Sequence, residues 1–326
     1  MSKHANVSIF VAHIGCPNMC SFCNQHTISG SLSLPHAKDV MQACEKALES
    51  GLDMSNTEIA FFGGSFTAIE RSYMIELLSA AKPYVDMGFK GIRISTRPDC
   101  IGHGILSILK EYGVTSIELG AQSMNDTVLS LNDRGHTAED VIAASKLVKQ
   151  YGFTLGLQMM VGLYGSTPEL DKASAREIIA LRPHEVRIYP VVILNNTKLG
   201  DLYKMGIYKP YTLENTVEIC AELLDMFEQN GIKVIKLGLH ASEIVEADML
   251  GGLYHPALRE LCEAERFKRL MSKMIGNDKA VTFTVRPNDL SKALGQKRSN
   301  IAYFNSLGIE VSIKTDKNQT EKLVKI

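Results

Sequence analysis

Between residues 7 and 194, short apolar runs alternate with longer amphipathic stretches at least five times, and that alternation leaves few folds open. The runs VSIFVAHIG (7–15), EIAFFGG (58–64), GIRIST (91–96), SIELGAQ (116–122), TLGLQMMVG (154–162) and EVRIYPVVIL (185–194) read as buried strands. Stretches such as 37–51 and 137–152 have helical spacing. In the second, Val141, Ala144, Leu147 and Val148 share a face, Thr137 and Asp140 make a capping-box-like start, and Gly152 supplies a stop. Repeated strand–helix units imply a parallel sheet with right-handed crossovers. With no dinucleotide fingerprint present, the expected fold class is α/β, a partial (β/α) TIM-like barrel rather than a doubly wound sheet. Its chemistry belongs in the loops that follow the strands. A further strand is expected at 232–240.

Beyond residue 261 the pattern changes to strand, helix, turn, helix, strand. The expected division is a partial barrel over 1–261 and a small α+β domain over 262–326. From Arg266 to Ile326 there are 13 Lys+Arg against 5 Asp+Glu, a local balance of +8 in a chain of net charge -1. A basic appendage on an acidic body suggests an anionic partner. A solvated basic face accounts for the charge equally well. The chain has 7 cysteines, an odd number in a sequence too long to need disulfide staples, which fits a reducing cytoplasm. No apolar run approaches the roughly 20 residues of a membrane span, and the N-terminus does not read as a signal peptide. A cytoplasmic location with no membrane partner is therefore expected.

Three of the cysteines crowd into GCPNMCSFCNQ (15–25), just after the first strand. Cys16, Cys20 and Cys23 have the spacing C-x3-C-x2-C. Thiolates so spaced can converge on one centre, and soft sulfur selects zinc or an iron–sulfur cluster. A structural zinc site wants a fourth ligand, for which His13 and His26 are at hand. Three thiolates on a four-iron cluster would instead leave one iron open to a ligand.

Residue for residue, CPNMCSFCNQ resembles the cluster loop of the radical S-adenosylmethionine (SAM) enzymes, with Phe22 in the place of the aromatic residue that precedes the last cysteine. The resemblance implies a [4Fe–4S] cluster whose open iron is chelated by S-adenosylmethionine, and reductive cleavage to a 5'-deoxyadenosyl radical. FFGGSF (61–66) is similar to the superfamily's glycine-rich motif, whose backbone meets the methionine amino group. Gly63 and Gly64 match it, and Ser65 stands where Glu is usual. Glycine suits the task because a missing Cβ lets the backbone approach a ligand.

ELGAQSMNDTVLSLNDRGHTAEDV (118–141) resembles a segment shared by oxygen-independent coproporphyrinogen oxidase and the catalytic subunit of Elongator. It implies that Gln122 and Arg134 hold the ribose and carboxylate of S-adenosylmethionine. ISTRPDCI (94–101), RGH (134–136), VGLYGSTPE (161–169) and YKPYT (208–212) look Elongator-like. By that likeness Ser95 and Arg97 lie over the cofactor, and Gln158 occupies the place of an acidic ribose contact in the coproporphyrinogen branch. Two departures limit the likeness. The Elongator subunit spaces its cysteines more widely, and it continues into an acetyltransferase domain for which this chain is expected to have no room. Radical chemistry is therefore implied, and acetyl transfer is not.

On the substrate side, Tyr189, Asn195, Lys209, Tyr211, His240 and His255 follow expected strands or lie in polar loops near them, where a Tyr or His is more often a satisfied structural group. ALGQKRSNI (293–301) resembles the Gly-x-x-Gly loop of KH domains, with Arg298 replacing the second glycine. Gly295, Lys297 and Arg298 are the expected phosphate contacts. The implied partners are a low-potential electron donor and a tRNA base. Three other readings stay open: a radical lyase or rearrangement enzyme acting on a free modified nucleobase of the queuine (7-deazaguanine) type, a porphyrin-pathway role, and an RNA-binding protein with a structural metal.

Overall fold

The alternation becomes one all-parallel sheet. In the computed structural model, which describes residues 4–11, 16, 19–24, 27, 33–239 and 242–326, the strands are β1 (Ala5–Val11), β2 (Thr57–Gly63), β3 (Gly91–Thr96), β4 (Val114–Gln122), β5 (Thr154–Val161), β6 (Glu185–Pro190), β7 (Val192–Leu194) and β8 (Lys233–Leu237). Seven of them pair in the order β1-β2-β3-β4-β5-β6-β8. The sheet curls into a half-barrel, and β1 and β8 are its edges.

The crossover helices lie on its outer face: α1 (Ala37–Glu49), α2 (Arg71–Met87), α3 (His103–Glu111), then after a short α4 (Asp126–Leu131), α5 (Ala138–Gln150) and α6 (Pro168–Ala180). Val40, Leu77, Leu106, Val148 and Ile178 from these helices meet Ile59, Phe61, Ile94, Leu119, Leu157 and Ile188 from the strands in one core. The start of α5 follows from its sequence. Thr137 Oγ1 accepts from the Asp140 N–H, the Asp140 carboxylate accepts from the Thr137 N–H at 2.7 Å, and the chain turns out at Gly152 with φ +80°.

The expected strand 185–194 is two strands. β7 leaves the half-barrel and pairs antiparallel with β9 (Met249–Gly252). Pro190 has no N–H to extend the ladder, and the next N–H, that of Val191, donates to Val161 at 3.0 Å. Around this excursion lie α7 (Lys198–Lys204), α8 (Leu213–Gln229) and α9 (Glu243–Asp248). The first strand ends at Val11; the rest of the expected run, 12–15, lies outside the described residues.

A second sheet has the order β11-β10-β12, from β10 (Ala280–Val285), β11 (Glu310–Thr315) and β12 (Val324–Lys325). Helix α10 (Leu258–Ile275) runs across residue 262 and serves both layers. Its Leu258 and Cys262 belong to the barrel core, and its Phe267, Met271 and Ile275 pack with Phe283, Val285 and Phe304 in a second core. Between β10 and β11 lie α11 (Leu290–Leu294) and α12 (Ser299–Ser306). Among the described residues no helix is long and apolar enough to cross a membrane.

Candidate functional site

The C-terminal ends of β1 to β5 form a rim, and the cysteine loop is pinned to it. Ser21 donates from Oγ to Asn132 Oδ1 at 2.9 Å and from its N–H to Asn132 O at 3.1 Å, while Ser21 O accepts from the Leu199 N–H at 2.7 Å. Asn132 is itself fixed by donating to Val128 O and Tyr164 O, both at 2.8 Å. Phe22 packs on a small core that includes Val128, Leu163 and Val191. The Cys23 N–H donates to Cys20 O at 3.1 Å, so these two thiols leave a single tight turn.

Cys20 is buried, and Arg134 Nη1 donates to its sulfur at 3.0 Å. Cys16 is exposed as a residue but sits near Ser65, Arg97 and Arg134. Burial raises its thiol above the ordinary value, against a hydrogen bond from the Ser65 N–H and the two arginine charges. His13 and His26 lie outside the described residues. Among those described, no three Cys, His, Asp or Glu side chains already form a closed metal cage.

The glycine-rich segment and the ends of β3 and β4 face this loop. The Gly64 N–H donates to Val11 O at 2.8 Å, joining the glycine motif to the end of β1. Ser65 is buried, its hydroxyl 3.0 Å from Thr96 Oγ1 and accepting from the Arg97 N–H at 3.0 Å. The Arg97 guanidinium forks onto Asp99 at 2.9 and 2.7 Å. Arg134 Nη2 donates to Gly120 O at 2.6 Å, and a Cβ on Gly120 would come within 3.0 Å of Gln122 Nε2. A side chain at 120 would therefore displace the Gln122 and Arg134 side chains. Gln122 itself has φ 65°, a left-handed conformation that costs a non-glycine residue about 1 kcal/mol or more.

Seven buried side-chain nitrogen or oxygen atoms among the described residues have no hydrogen-bond partner, and four of them belong to this rim: Arg97 Nη1, Gln122 Oε1, Arg134 Nε and His136 Nδ1. Each costs about 1–3 kcal/mol if nothing satisfies it. His136 meets Ala121 O through Nε2 at 3.2 Å. Burial first, then Arg134 and Arg97, push its imidazole down to about 4, so it is neutral. With Nε2 donating, Nδ1 presents a lone pair. Three thiols on one loop, with two arginine N–H groups and two acceptors on the rim beside it, make a set suited to a metal cluster and a zwitterionic ligand with carboxylate and amino groups.

The radical SAM superfamily profile matches residues 11–178, and the radical SAM C-terminal domain matches 183–268. The chain belongs to the radical SAM superfamily. It is a radical SAM enzyme, and the family uses a [4Fe–4S] cluster and S-adenosylmethionine. Relatives include a tRNA uridine(34) acetyltransferase of Methanocaldococcus jannaschii, 38% identical over 39% of this chain and 24% of that protein. Human Elongator complex protein 3 is 30% identical over 55% of this chain and 37% of its own. The chain spans between 24% and 52% of the length of the tRNA uridine(34) acetyltransferases compared with it, the Methanocaldococcus jannaschii protein among them. The archaeal Methanocaldococcus infernus Elp3 with an N-terminal deletion has the same fold, with TM-score 0.59 at 23% identity over 76% of this chain and 62% of that one.

Beneath the rim, the concave face of the half-barrel is charged rather than apolar. Glu118 accepts from Arg93 Nη1 at 2.8 Å, from Arg187 Nε and Nη2 at 2.6 and 2.9 Å, and from Gln158 Nε2 at 2.9 Å. Arg93 also grips Glu58, at 2.9 and 2.7 Å, and Glu185. Burial alone would raise the Glu118 carboxyl, but Arg187 and Arg93 outweigh it and hold the group below its ordinary value. An ionised carboxylate only accepts, which fixes the Gln158 amide: its nitrogen faces Glu118 and Ser95 (3.2 Å). The Arg187 guanidinium stacks 5.1 Å from the Phe62 ring centroid.

The expected substrate residues scatter. Tyr189 lies in β6 beside Arg187. Lys209 is exposed. Tyr211 donates to Asp171 at 3.1 Å, and Asp171 also accepts from the Gly162 N–H at 3.0 Å, an arrangement that anchors the loop after β5. Asn195 Nδ2 donates to Asp248 O at 3.1 Å, and His255 Nδ1 accepts from the Ala257 N–H at 3.1 Å in the turn before α10. His240 lies outside the described residues. Sequence reasoning missed Glu58, Arg93, Glu118 and Arg187, along with the rim position of His136. The signal was present for three of them: Arg93, Glu118 and Arg187 each sit between apolar neighbours in a strand, at the alternate positions that turn away from the helices.

Proposed function

We propose that the protein generates a radical to modify a nucleic-acid base, a base of tRNA. Cys16, Cys20 and Cys23 hold the [4Fe–4S] cluster. Gly63, Gly64, Ser65, Gln122 and Arg134 orient S-adenosylmethionine, with Phe22, Ser95, Arg97 and Gln158 around them. When bound, the cluster and S-adenosylmethionine together supply a 5'-deoxyadenosyl radical that abstracts a hydrogen atom, given one electron from a low-potential donor. The observation that carries the chemistry is the set of four unpartnered buried atoms on the rim, one of them on Arg134, which also donates to Cys20. Arg134 spans both halves of the site, since one nitrogen meets the Cys20 sulfur and another is left for a ligand acceptor, and a guanidinium can fork onto a carboxylate. His136, neutral, offers an acceptor without adding charge. The half-barrel walls exclude water from the reacting atoms.

The relatives' names support tRNA as substrate class. Residues 262–326 are proposed as a KH-like RNA-binding domain acting through Gly295, Lys297 and Arg298. Lys297 and Arg298 both have left-handed backbones, with φ 52° and 61°, at the start of α12. The test is 5'-deoxyadenosine formation by anaerobic, cluster-reconstituted protein with reductant, comparing tRNA against a mixture of free nucleobases. Stimulation by tRNA is expected. Stimulation only by free bases, such as a 7-deazaguanine, would refute the tRNA reading and make this a free-base enzyme. Turnover that survives Cys20→Ala would refute the cluster assignment.

A further inference from the structure

Phe61 and Phe62 stand side by side at the end of β2 and face opposite ways. Phe61 is fully buried in the core against the helices, where it stacks on Phe66 with 4.7 Å between ring centroids. Phe62 turns the other way, as strand alternation requires, onto the concave face of the half-barrel. The same alternation runs along β1. Val7, Ile9 and Val11 are buried in the core with Val40, while Ser8 and Phe10 are exposed. Phe10 pairs in register with Phe62, and the two rings lie 6.3 Å apart with 43° between their planes.

The Arg187 guanidinium reaches Phe62 from β6, across three intervening strands, and stands 5.1 Å from its ring centroid. Its fork onto Glu118, at 2.6 and 2.9 Å, holds it there. Two rings and a guanidinium plane thus make one shelf from the β1 edge to β6. The shelf is open at the Phe10 end. That ring is 40% exposed, on a face where Glu58, Arg93 and Glu118 are buried and paired. Phe10 is also the last inward residue of β1 before the chain leaves for Cys16, and Phe62 directly precedes Gly63 and Gly64. The shelf therefore ends at the rim. An exposed aromatic residue alone suits a strand without any ligand. Adjoining phenyl and guanidinium faces beside the cysteine loop suit a planar heterocycle, which stacks on both.

We propose that Phe10 is the stacking residue for the target base. One nucleobase of the RNA, unstacked from its neighbours, lies on the Phe10 ring, with Phe62 and Arg187 continuing the shelf behind it, and is presented there to the rim. The inference rests on the nucleic-acid reading above and adds to it the residue that seats the base. Every base has a π face, so the shelf seats a base without selecting which one. Stacking involves no phosphate, and its loss leaves the salt dependence of binding untouched.

The experiment uses the full chain with its cluster and measures affinity for a tRNA transcript pool across a salt series, and for a mixture of free nucleobases. Phe10→Leu keeps an apolar side chain but loses the ring, and is expected to weaken tRNA binding roughly tenfold at every salt concentration with the slope unchanged. Phe10→Tyr keeps the ring and should stay within about twofold of wild type. S-adenosylmethionine affinity and iron content should match wild type in both variants. Far-UV circular dichroism checks folding, and Phe10→Met carries the test if Phe10→Leu does not fold. If wild-type protein binds tRNA and the ringless variant matches it, the shelf is overturned and the RNA reading stands. If wild-type protein binds free bases and not tRNA, the tRNA reading falls; a loss of base affinity in Phe10→Leu then keeps the shelf, and an unchanged affinity overturns it. If wild-type protein binds neither, both fall.

Discussion

Glu118→Leu isolates what the charged interior is worth. The carboxylate accepts four hydrogen bonds, from Arg93 at 2.8 Å, Arg187 at 2.6 and 2.9 Å and Gln158 at 2.9 Å. Removing it does not strand Arg93, which keeps Glu58 at 2.7 Å and Glu185. It does strand Arg187, which has no other ion pair among the described residues. One uncompensated buried cation costs about 3–5 kcal/mol. With a urea slope of about 3 kcal/mol/M for a chain of this size, the unfolding midpoint should fall by about 1–1.7 M. Glu118→Leu with Arg187→Leu removes both charges and leaves two apolar side chains of adequate volume, so the loss should shrink to under about 2 kcal/mol. The assay is anaerobic urea unfolding of the wild type, the two single variants and the double variant, followed by far-UV circular dichroism. Singles that simply add in the double variant would refute the reasoning, because the penalty would then come from each side chain alone and not from an orphaned charge.

Arg134→Lys keeps a positive charge but loses the fork, so S-adenosylmethionine affinity should drop about tenfold or more, measured by equilibrium dialysis with iron content unchanged. His136 contributes a stability that depends on pH. Its folded pKa of about 4 lies below the ordinary 6.5, so the neutral form's contribution is complete above 6.5 and is lost as pH falls toward 4. About 2 kcal/mol should vanish between pH 7 and pH 5, and His136→Gln should flatten that part of the profile in thermal melts. Lys297→Glu with Arg298→Glu should weaken tRNA binding and lower its salt slope by about two, and an unchanged slope would remove the KH-like loop from the interface.

How much was legible depends on which physical signal each residue carries. The strands and crossovers were readable because a parallel sheet covered by helices needs long apolar runs, and Ile92, Ile94, Ile117 and Leu119 supply them in the core. The same runs hid the interior. Arg93 and Glu118 sit alone among aliphatic neighbours, and a window averaged over six or eight residues reports the neighbours. Their partnership spans positions 58, 93, 118 and 187, and only the strand register brings those together. The cysteine loop was legible for the opposite reason, since its three thiols are local in sequence. The break at Pro190 was readable in principle from the missing N–H, but β-branched residues on both sides outweighed it. Tyr211 and His255 each make a hydrogen bond within the chain, and in sequence a polar group at a strand end looks the same whether it meets a ligand or the rest of the fold.

Gln122 shows how the rim separates binding from stability. Its left-handed backbone, φ 65°, and its unpartnered Oε1 both count against the folded chain. A residue kept for packing would not carry two penalties, each of about 1 kcal/mol or more. Asparagine tolerates the left-handed conformation better and has a shorter side chain that can reach its own backbone. Gln122→Asn should therefore leave the cofactor-free protein at least as stable as wild type in urea, while weakening S-adenosylmethionine binding roughly tenfold. It should also reduce the rise in melting temperature that the ligand gives cluster-loaded protein, because that rise follows from the affinity for the folded state alone. A variant that loses stability and keeps its affinity would make Gln122 a structural residue, and the strain at the end of β4 would then belong to the fold rather than to the cofactor.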